Sequence, residues 1–249
     1  MKVYVLTDME GVAGVINFDD YVGPEGRYYE TGRELTTLET SAAVQGLLDG
    51  GATEIHVLDG HGSGAIRLDI LHPAAKLIAG RPLTYPFGLD STFDAMVVVG
   101  QHSKAGTPTG HLCHTGDLLQ IDCTLNGQSV GELGLDIAFA GYFGVPCIMV
   151  AGDQACCDEA RALLPQVETV AVKRGLNRGA AIHLHPDRAR ALIRDRAWQA
   201  IGRVRDMEPF RPAPPYELVS VRPSEDGKDQ VRKVVQGDDL LEVLRQVWG

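Results

Sequence analysis

Near the N-terminus, "VYVLTDMEGV" (residues 3–12) runs an apolar segment into two carboxylates, Asp8 and Glu10, two positions apart. Side chains two apart on an extended chain point to the same side, so both acids would converge on one spot. Two like charges that close repel unless a proton or a cation sits between them. Chemistry-bearing residues recur at the ends of later apolar runs. "EIHVLD" leads to Asp59 and His61, and "AMVVVGQH" leads to His102, His111 and His114. "VGELGL" then opens a helix with Glu132. Carboxylate oxygen and neutral imidazole nitrogen are ligands of zinc, manganese and related ions. Two metals side by side want a bridging carboxylate and several terminal ligands. Asp8, Glu10, His61, His102 and Glu132 would supply that set.

Each member also has a plainer reading. Asp8 could cap a turn, and Glu132 could simply favour the first turn of its helix, where a carboxylate meets the positive dipole end. His61, in a Gly-rich loop, and His102 read as ligands or as surface histidines. His111 and His114 read as ordinary loop residues, and His56 as packed within its strand. His72, His183 and His185 lie near prolines and read as surface or capping groups. Asp59 could orient an imidazole or cap a turn.

The elements that must position these groups follow a strand–loop–helix rhythm. Apolar strands are expected at 3–6, 54–59, 95–102, 146–153 and 167–172. Between the first two, Leu35, Leu38, Ala42, Ala43 and Leu47 fall at helical steps and stop on Gly50-Gly51. "LLQIDCTLNGQSV" alternates around Asn126-Gly127, a hairpin turn signal. "GELGLDIAFAGYFG" is a strongly apolar helix and "CDEARALL" a short one. Strands alternating with helices predict an α/β fold, a three-layer, mostly parallel sheet with helices on both faces. In such a sheet the loops at the carboxyl ends of strands form the ligand crevice. Later the texture changes: a basic amphipathic helix at 185–201, a proline cluster, two strands and a terminal helix at 238–248. The expected division is a metal-binding catalytic domain over 1–170 and a smaller α+β lobe over 171–249.

Bulk properties narrow the function classes. A chain of 249 residues can bury a large core without metal or disulfides, so a bound metal would serve chemistry. The net charge of −10 argues against nucleic acid as partner. No apolar run reaches the roughly 20 residues that span a bilayer, and the acidic N-terminus is unlike a secretory signal. Five cysteines, with Cys156 and Cys157 adjacent, lack a disulfide framework or a zinc-site spacing and suggest a reducing compartment, the cytoplasm.

A strand followed by Asp-x-Asp-Gly marks haloacid-dehalogenase-like phosphatases, in which the first Asp is a nucleophile that binds magnesium. "TDMEGV" is similar, with Glu10 in place of the second Asp. That reading wants a downstream Lys and an acidic pair after a late strand, where "VAGDQ" offers Asp153 alone. It also leaves His61, His102 and Glu132 unemployed.

A more specific likeness covers residues 8 to about 153. "DMEGV", "DGHG", "GQHSKAGTP" with "CHTG", and "VGELGL…AGYFGVPCIMVAGD" together resemble the DppA family of D-aminopeptidases, peptidase family M55. "AVKRGLNRGAAIHLHP" carries a weaker likeness onward. The resemblance implies a zinc aminopeptidase with two zinc ions per subunit, held by Asp8, Glu10, His61, His102 and Glu132. It implies a catalytic role for His114, with Cys113 where a serine is usual. It further implies a homodecamer whose inner channel restricts substrates to short peptides or amides. A non-catalytic metal- or peptide-binding protein using the same ligands is the remaining alternative.

Overall fold

The computed structural model describes residues 1–248. Its first part runs β1 (Lys2–Thr7), α1 (Phe18–Tyr21), α2 (Tyr29–Asp49), β2 (Glu54–Asp59), β3 (Ala75–Ile78), β4 (Ala95–Gln101), β5 (Asp122–Leu125) and β6 (Gln128–Ser129). Then follow α3 (Glu132–Tyr142), β7 (Cys147–Asp153), α4 (Gln154–Leu163), β8 (Glu168–Asn177), β9 (Ala180–His183) and α5 (Pro186–Ile201). The chain closes with β10 (Tyr216–Pro223), β11 (Gln230–Gly237) and α6 (Leu240–Trp248).

Seven strands form one sheet in the order β3-β2-β1-β4-β7-β8-β9. All are parallel except β9, which folds back on β8. Every residue of β4 and β7 is buried, as central strands covered on both faces require. The chain lays down β1, β2 and β3 in one direction, then restarts at β4 on the other side of β1 and grows through β7 to β8. Right-handed crossovers therefore put α2 on one face and α3 with α4 on the other. The packing agrees, since α5 lies along α2 and α4 touches α3. The expected α/β architecture is thus present, and its order reverses between β1 and β4. A crevice opens beyond the carboxyl ends of the strands at such a reversal.

A second, antiparallel sheet has the order β11-β10-β5-β6, with α6 against β10 and β11. Asn126 and Gly127 turn the β5–β6 hairpin with φ of 51° and 78°, the paired positive values of a tight hairpin turn. The sheets divide the chain differently from the expected boundary at residue 170. That boundary falls inside β8, and β9 and α5 stay with the large sheet, whereas β5 and β6 join the small one. The cause is long-range pairing, Leu125 opposite Leu218, which local texture does not encode. One core runs through both sheets, with Val97 and Phe139 in the same cluster as Leu218 and Leu244. β3 and β9 were not expected; each has four residues, lies at an edge and buries none of them fully. No described helix is long and apolar enough to cross a membrane.

Where β1, β4 and β7 end, backbones crowd. A Cβ on Gly100, which has φ of 80°, would lie 2.0 Å from the Asp8 carbonyl oxygen. One on Gly11 or Gly152 would lie 2.0 Å from the Gln101 carbonyl oxygen. Only glycine permits that approach, and it brings the Asp8 and His102 loops together.

Candidate metal centre

Asp8 follows β1 directly, and Glu10 lies in the turn beyond it. The convergence of the two acids arises in that turn rather than on extended chain, with Met9 directed into a small apolar cluster with Val12, Val15 and Tyr29. His61 Nδ1 stands 3.1 Å from both Asp8 Oδ1 and Glu10 Oε2. The other Asp8 oxygen, Oδ2, is 3.3 Å from His102 Nε2, which is 3.5 Å from Glu132 Oε1. His114 Nε2 lies 3.8 Å from Glu10 Oε1 and 3.8 Å from Glu132 Oε1. All six expected site residues therefore meet beyond the ends of β1, β2 and β4 and at the start of α3. Asp8, Glu10, His61 and His102 are buried.

Hydrogen bonds fix the three rings. His61 Nε2 donates to the Val22 carbonyl, His102 Nδ1 to that of Ser103 and His114 Nδ1 to that of Leu112, each at 2.9 Å. A neutral ring held this way turns the lone pair of its second nitrogen outward. Here those lone pairs face carboxylate oxygens, which also offer only lone pairs. Something positive must lie between them. Glu10 Oε2 and His102 Nε2 are buried without a hydrogen-bond partner.

The electrostatics say the same. Burial pulls the His61 and His102 imidazoles down, yet Glu10 and Asp8 around the first, and Glu132 and Asp8 around the second, raise both well above the ordinary range. Burial pushes the Asp8 carboxyl up, but His61 and His102 hold it well below its usual range. The ligand atoms form two groups, Asp8-Glu10-His61 and His102-His114-Glu132, each within 4.8 Å of one another. Oxygen and imidazole donors without sulfur, each ring oriented by a carbonyl behind it, fit zinc or a similar ion.

Two cavities adjoin the carboxylates, and Asp8 and Glu132 border both. One of about 450 Å³ is open, flanked by Phe18, Val22, His114 and Leu118. The other, of about 310 Å³, runs inward between Leu6, Leu58, Tyr85, Phe87 and Leu135.

Comparison with known proteins decides what the arrangement belongs to. A family model described as peptidase M55, D-aminopeptidase, matches residues 1–237. The chain belongs to the D-aminopeptidase family. A D-aminopeptidase of Bacillus subtilis (strain 168) is 34% identical over 243 residues, which span 96% of this chain and 88% of the relative. A solved structure, the Zn-dependent D-aminopeptidase DppA from Bacillus subtilis, described as a self-compartmentalizing protease, superposes with a TM-score of 0.92. It is 32% identical, covering 98% of this chain and 94% of its own. The phosphatase reading of residues 8–11 has no such support, and both oxygens of its would-be nucleophile, Asp8, already face histidines.

This D-aminopeptidase-family chain grips the Glu10 loop from beneath. Lys173, buried, donates to the carbonyls of Glu10 and Val15, and burial pushes its ammonium down to about 8. Glu39 of α2 accepts from the Ala13 N–H at 3.0 Å, and burial pushes its carboxyl up to about 8. His183 accepts from the Gly14 N–H at 3.1 Å, and His111 donates to the Ile16 carbonyl at 3.0 Å. Neither Lys173 nor Glu39 was expected. Glu39 had a signal, since it occupies the apolar stripe of its helix between Leu35 and Ala43. Lys173 had none: a register shift sets Ala171 opposite Gly152 but Lys173 opposite Asp153, breaking the alternation that would have placed it.

Several bland expectations resolve as well. His185 caps α5, accepting from the Asp187 N–H, and His56 packs edge-on against Phe93. His72 accepts from the Ala74 N–H. His111 is fully buried rather than an ordinary loop residue, and His183 joins it in an edge-to-face pair at 5.4 Å. Asp59 accepts from the amides of Ala65 and Ile66, so it caps a turn while the Val22 carbonyl orients His61. Cys113 is buried and donates to the Thr107 carbonyl at 3.4 Å; burial raises its thiol.

Proposed function

We propose that this chain is a zinc-dependent aminopeptidase that removes an N-terminal residue, of D configuration, from short peptides or amides. The observation that carries the reading is Asp8, whose two oxygens face His61 and His102 separately. Asp8 would be shared between two zinc ions per subunit. Glu10 and His61 would complete the shell of one, and His102 and Glu132 that of the other. The relatives named as D-aminopeptidases support the substrate class, and the zinc-dependent one supports the metal.

When bound, zinc supplies a nucleophilic hydroxide near neutral pH and a Lewis acid for the amide carbonyl. The chain supplies the proton traffic. His114 Nδ1 is committed to the Leu112 carbonyl, so Nε2 is the free basic atom, at the wall of the open cavity. It takes a proton during water attack and returns it to the leaving amine. Leu112 holds φ of 57°, a strained value for a leucine, and that turn presents its carbonyl to His114. Glu132 accepts from the Gly116 N–H at 2.6 Å, tying the His114 loop to α3. Phe18 lies edge-on to His114 at 5.5 Å, and the Arg178 guanidinium stands over the Phe18 ring at 5.6 Å.

The self-compartmentalizing relative supports assembly into a homo-oligomer, which we take to be the decamer of the family. Leu118, which lines the open cavity, and its chain neighbour Leu119, 50% and 65% exposed, are apolar surface that such assembly would use. A cytoplasmic location suits five free thiols, all buried.

The test is chelation followed by add-back of zinc or magnesium, assayed on paired D- and L-aminoacyl dipeptides and amides. Zinc should restore amine release from the D series. Zinc uptake without amine release would leave only a binding protein, and magnesium-dependent phosphate release would restore the phosphatase.

A further inference from the structure

The inward cavity holds a carboxyl that the metal centre does not use. Asp136 sits four residues after Glu132 on α3, so the two project from the same helix face, one turn apart. Glu132 is at the shared edge of the two cavities, and Asp136 lies along the wall of the inward one. The buried phenols of Tyr4 and Tyr85 and the buried Cys147 thiol lie near it; burial first, and Asp136 after it, push all three up. Among the described residues nothing hydrogen-bonds to it. The one guanidinium of the cavity, Arg81, is occupied by the carbonyls of Asp59, His61, Gly62 and Gly80.

Most of the remaining wall is apolar, with Leu6, Leu58, Leu83, Tyr85, Phe87 and Leu135, while Thr7 and Gln101, which also line it, donate to the Leu58 carbonyl and to Asp8. A carboxylate among such groups is costly unless a cation or a donor meets it. No cation or donor of the wall is bonded to Asp136, and burial together with the charges of Glu132 and Asp8 pushes its carboxyl well up; a cationic occupant is what would let it ionise. Because Asp8 and Glu132 form the mouth, the cavity opens on the atoms where a peptide bond would be cut. Being the inward one of the pair, it suits the terminal residue, while the open cavity passes the remainder of the peptide.

We propose that the inward cavity is the subsite for the side chain of the N-terminal residue, and that Asp136 sets it for a side chain ending in a cation. The occupant is a lysine- or ornithine-like residue, its methylenes along the leucines, its ammonium at Asp136 and within reach of the faces of Tyr85 and Phe87. This rests on the aminopeptidase reading above and adds a preference to it.

Two measurements on the zinc-loaded full chain test it, using lysine and its uncharged isostere norleucine in both configurations. In turnover of the aminoacyl amides, kcat/KM for the accepted lysine enantiomer should exceed that for norleucine by roughly tenfold or more. Asp136→Asn should bring the ratio near one, and Asp136→Leu should invert it. In calorimetric titration, which needs no turnover, lysinamide should bind wild type more tightly than norleucinamide by a similar factor, and Asp136→Asn should erase the difference. A wild-type ratio at or below one in binding overturns the inference, as does a ratio unchanged in both variants. A binding preference that depends on Asp136, with no amine released from any amide, would uphold the subsite and overturn the hydrolase.

Discussion

The rings of His102 and His114 stack, 3.8 Å between centroids and 15° from parallel, with both Nε2 atoms turned to Glu132 Oε1. The two differ in setting. His102 is 2% exposed and wedged between Asp8 and Glu132, as a ligand would be. His114 stands farther from the carboxylates and borders the open cavity, as a proton carrier would.

His114→Ala should therefore keep its metal and lose turnover. Removing a general acid–base costs about 10²–10⁴ in rate. Metal content by plasma emission and kcat on a D-alanyl amide should part company, the first unchanged and the second collapsed. Metal loss in step with activity would make His114 a ligand instead.

Asp8→Asn replaces a charge that faces two imidazoles with a neutral amide that has one acceptor oxygen. On the proposed two-ion site, metal content should fall from two ions per subunit to below one. Glu10→Gln, which faces His61 and His114 but not His102, should retain one. Equal loss in both variants would show that Asp8 has no bridging role.

The pH dependence of stability follows from the charges in the metal-free site. A raised imidazole pKa stabilises the fold fully below the unfolded value, about 6.5, and the gain is lost as pH climbs through the folded value. His61 and His102 act this way. The depressed carboxyl of Asp8 contributes above its unfolded value, about 3.9, and its contribution is lost as pH falls through the folded one. Chelated protein should thus melt highest between about pH 4 and 6.5 and progressively lower on the alkaline side. Zinc competes with the imidazole protons, so the rise in Tm on adding zinc should grow with pH. Scanning calorimetry with and without chelator reads both trends, and a zinc effect that shrinks with pH would contradict the assignment of these histidines as ligands.

Lys173→Met removes the donor shared by the carbonyls of Glu10 and Val15. Two buried acceptors then lose their partner, at a cost of about 2–4 kcal/mol. Denaturant unfolding should show that loss, and weaker zinc binding should accompany it because Glu10 rides on the same loop. Wild-type stability in this variant would mean that Glu39 and His183 hold the loop alone.

The centre was legible in the sequence because a parallel sheet places strand ends together. Asp8, Glu10, His61 and His102 each follow an apolar strand, and Glu132 opens a helix, so position in a strand–loop–helix pattern carried most of the geometry. What the sequence hid was whatever depends on long-range register. The register shift at Asp153 turned Lys173 inward, and pairing of β5 with β10 moved the hairpin into the second sheet. Asp136 was overlooked for another reason. It is the single charge in an otherwise apolar stretch of α3, four residues from Glu132, and only a cavity beside it gives it meaning.

The central claim is that Asp8 lies between two divalent cations. Crystals of the zinc-loaded protein, measured on both sides of the zinc absorption edge, test it most directly. Two anomalous peaks are predicted, one among Asp8, Glu10 and His61 and one among Asp8, His102 and Glu132. A single peak, or peaks that leave Asp8 uncoordinated, would contradict the account.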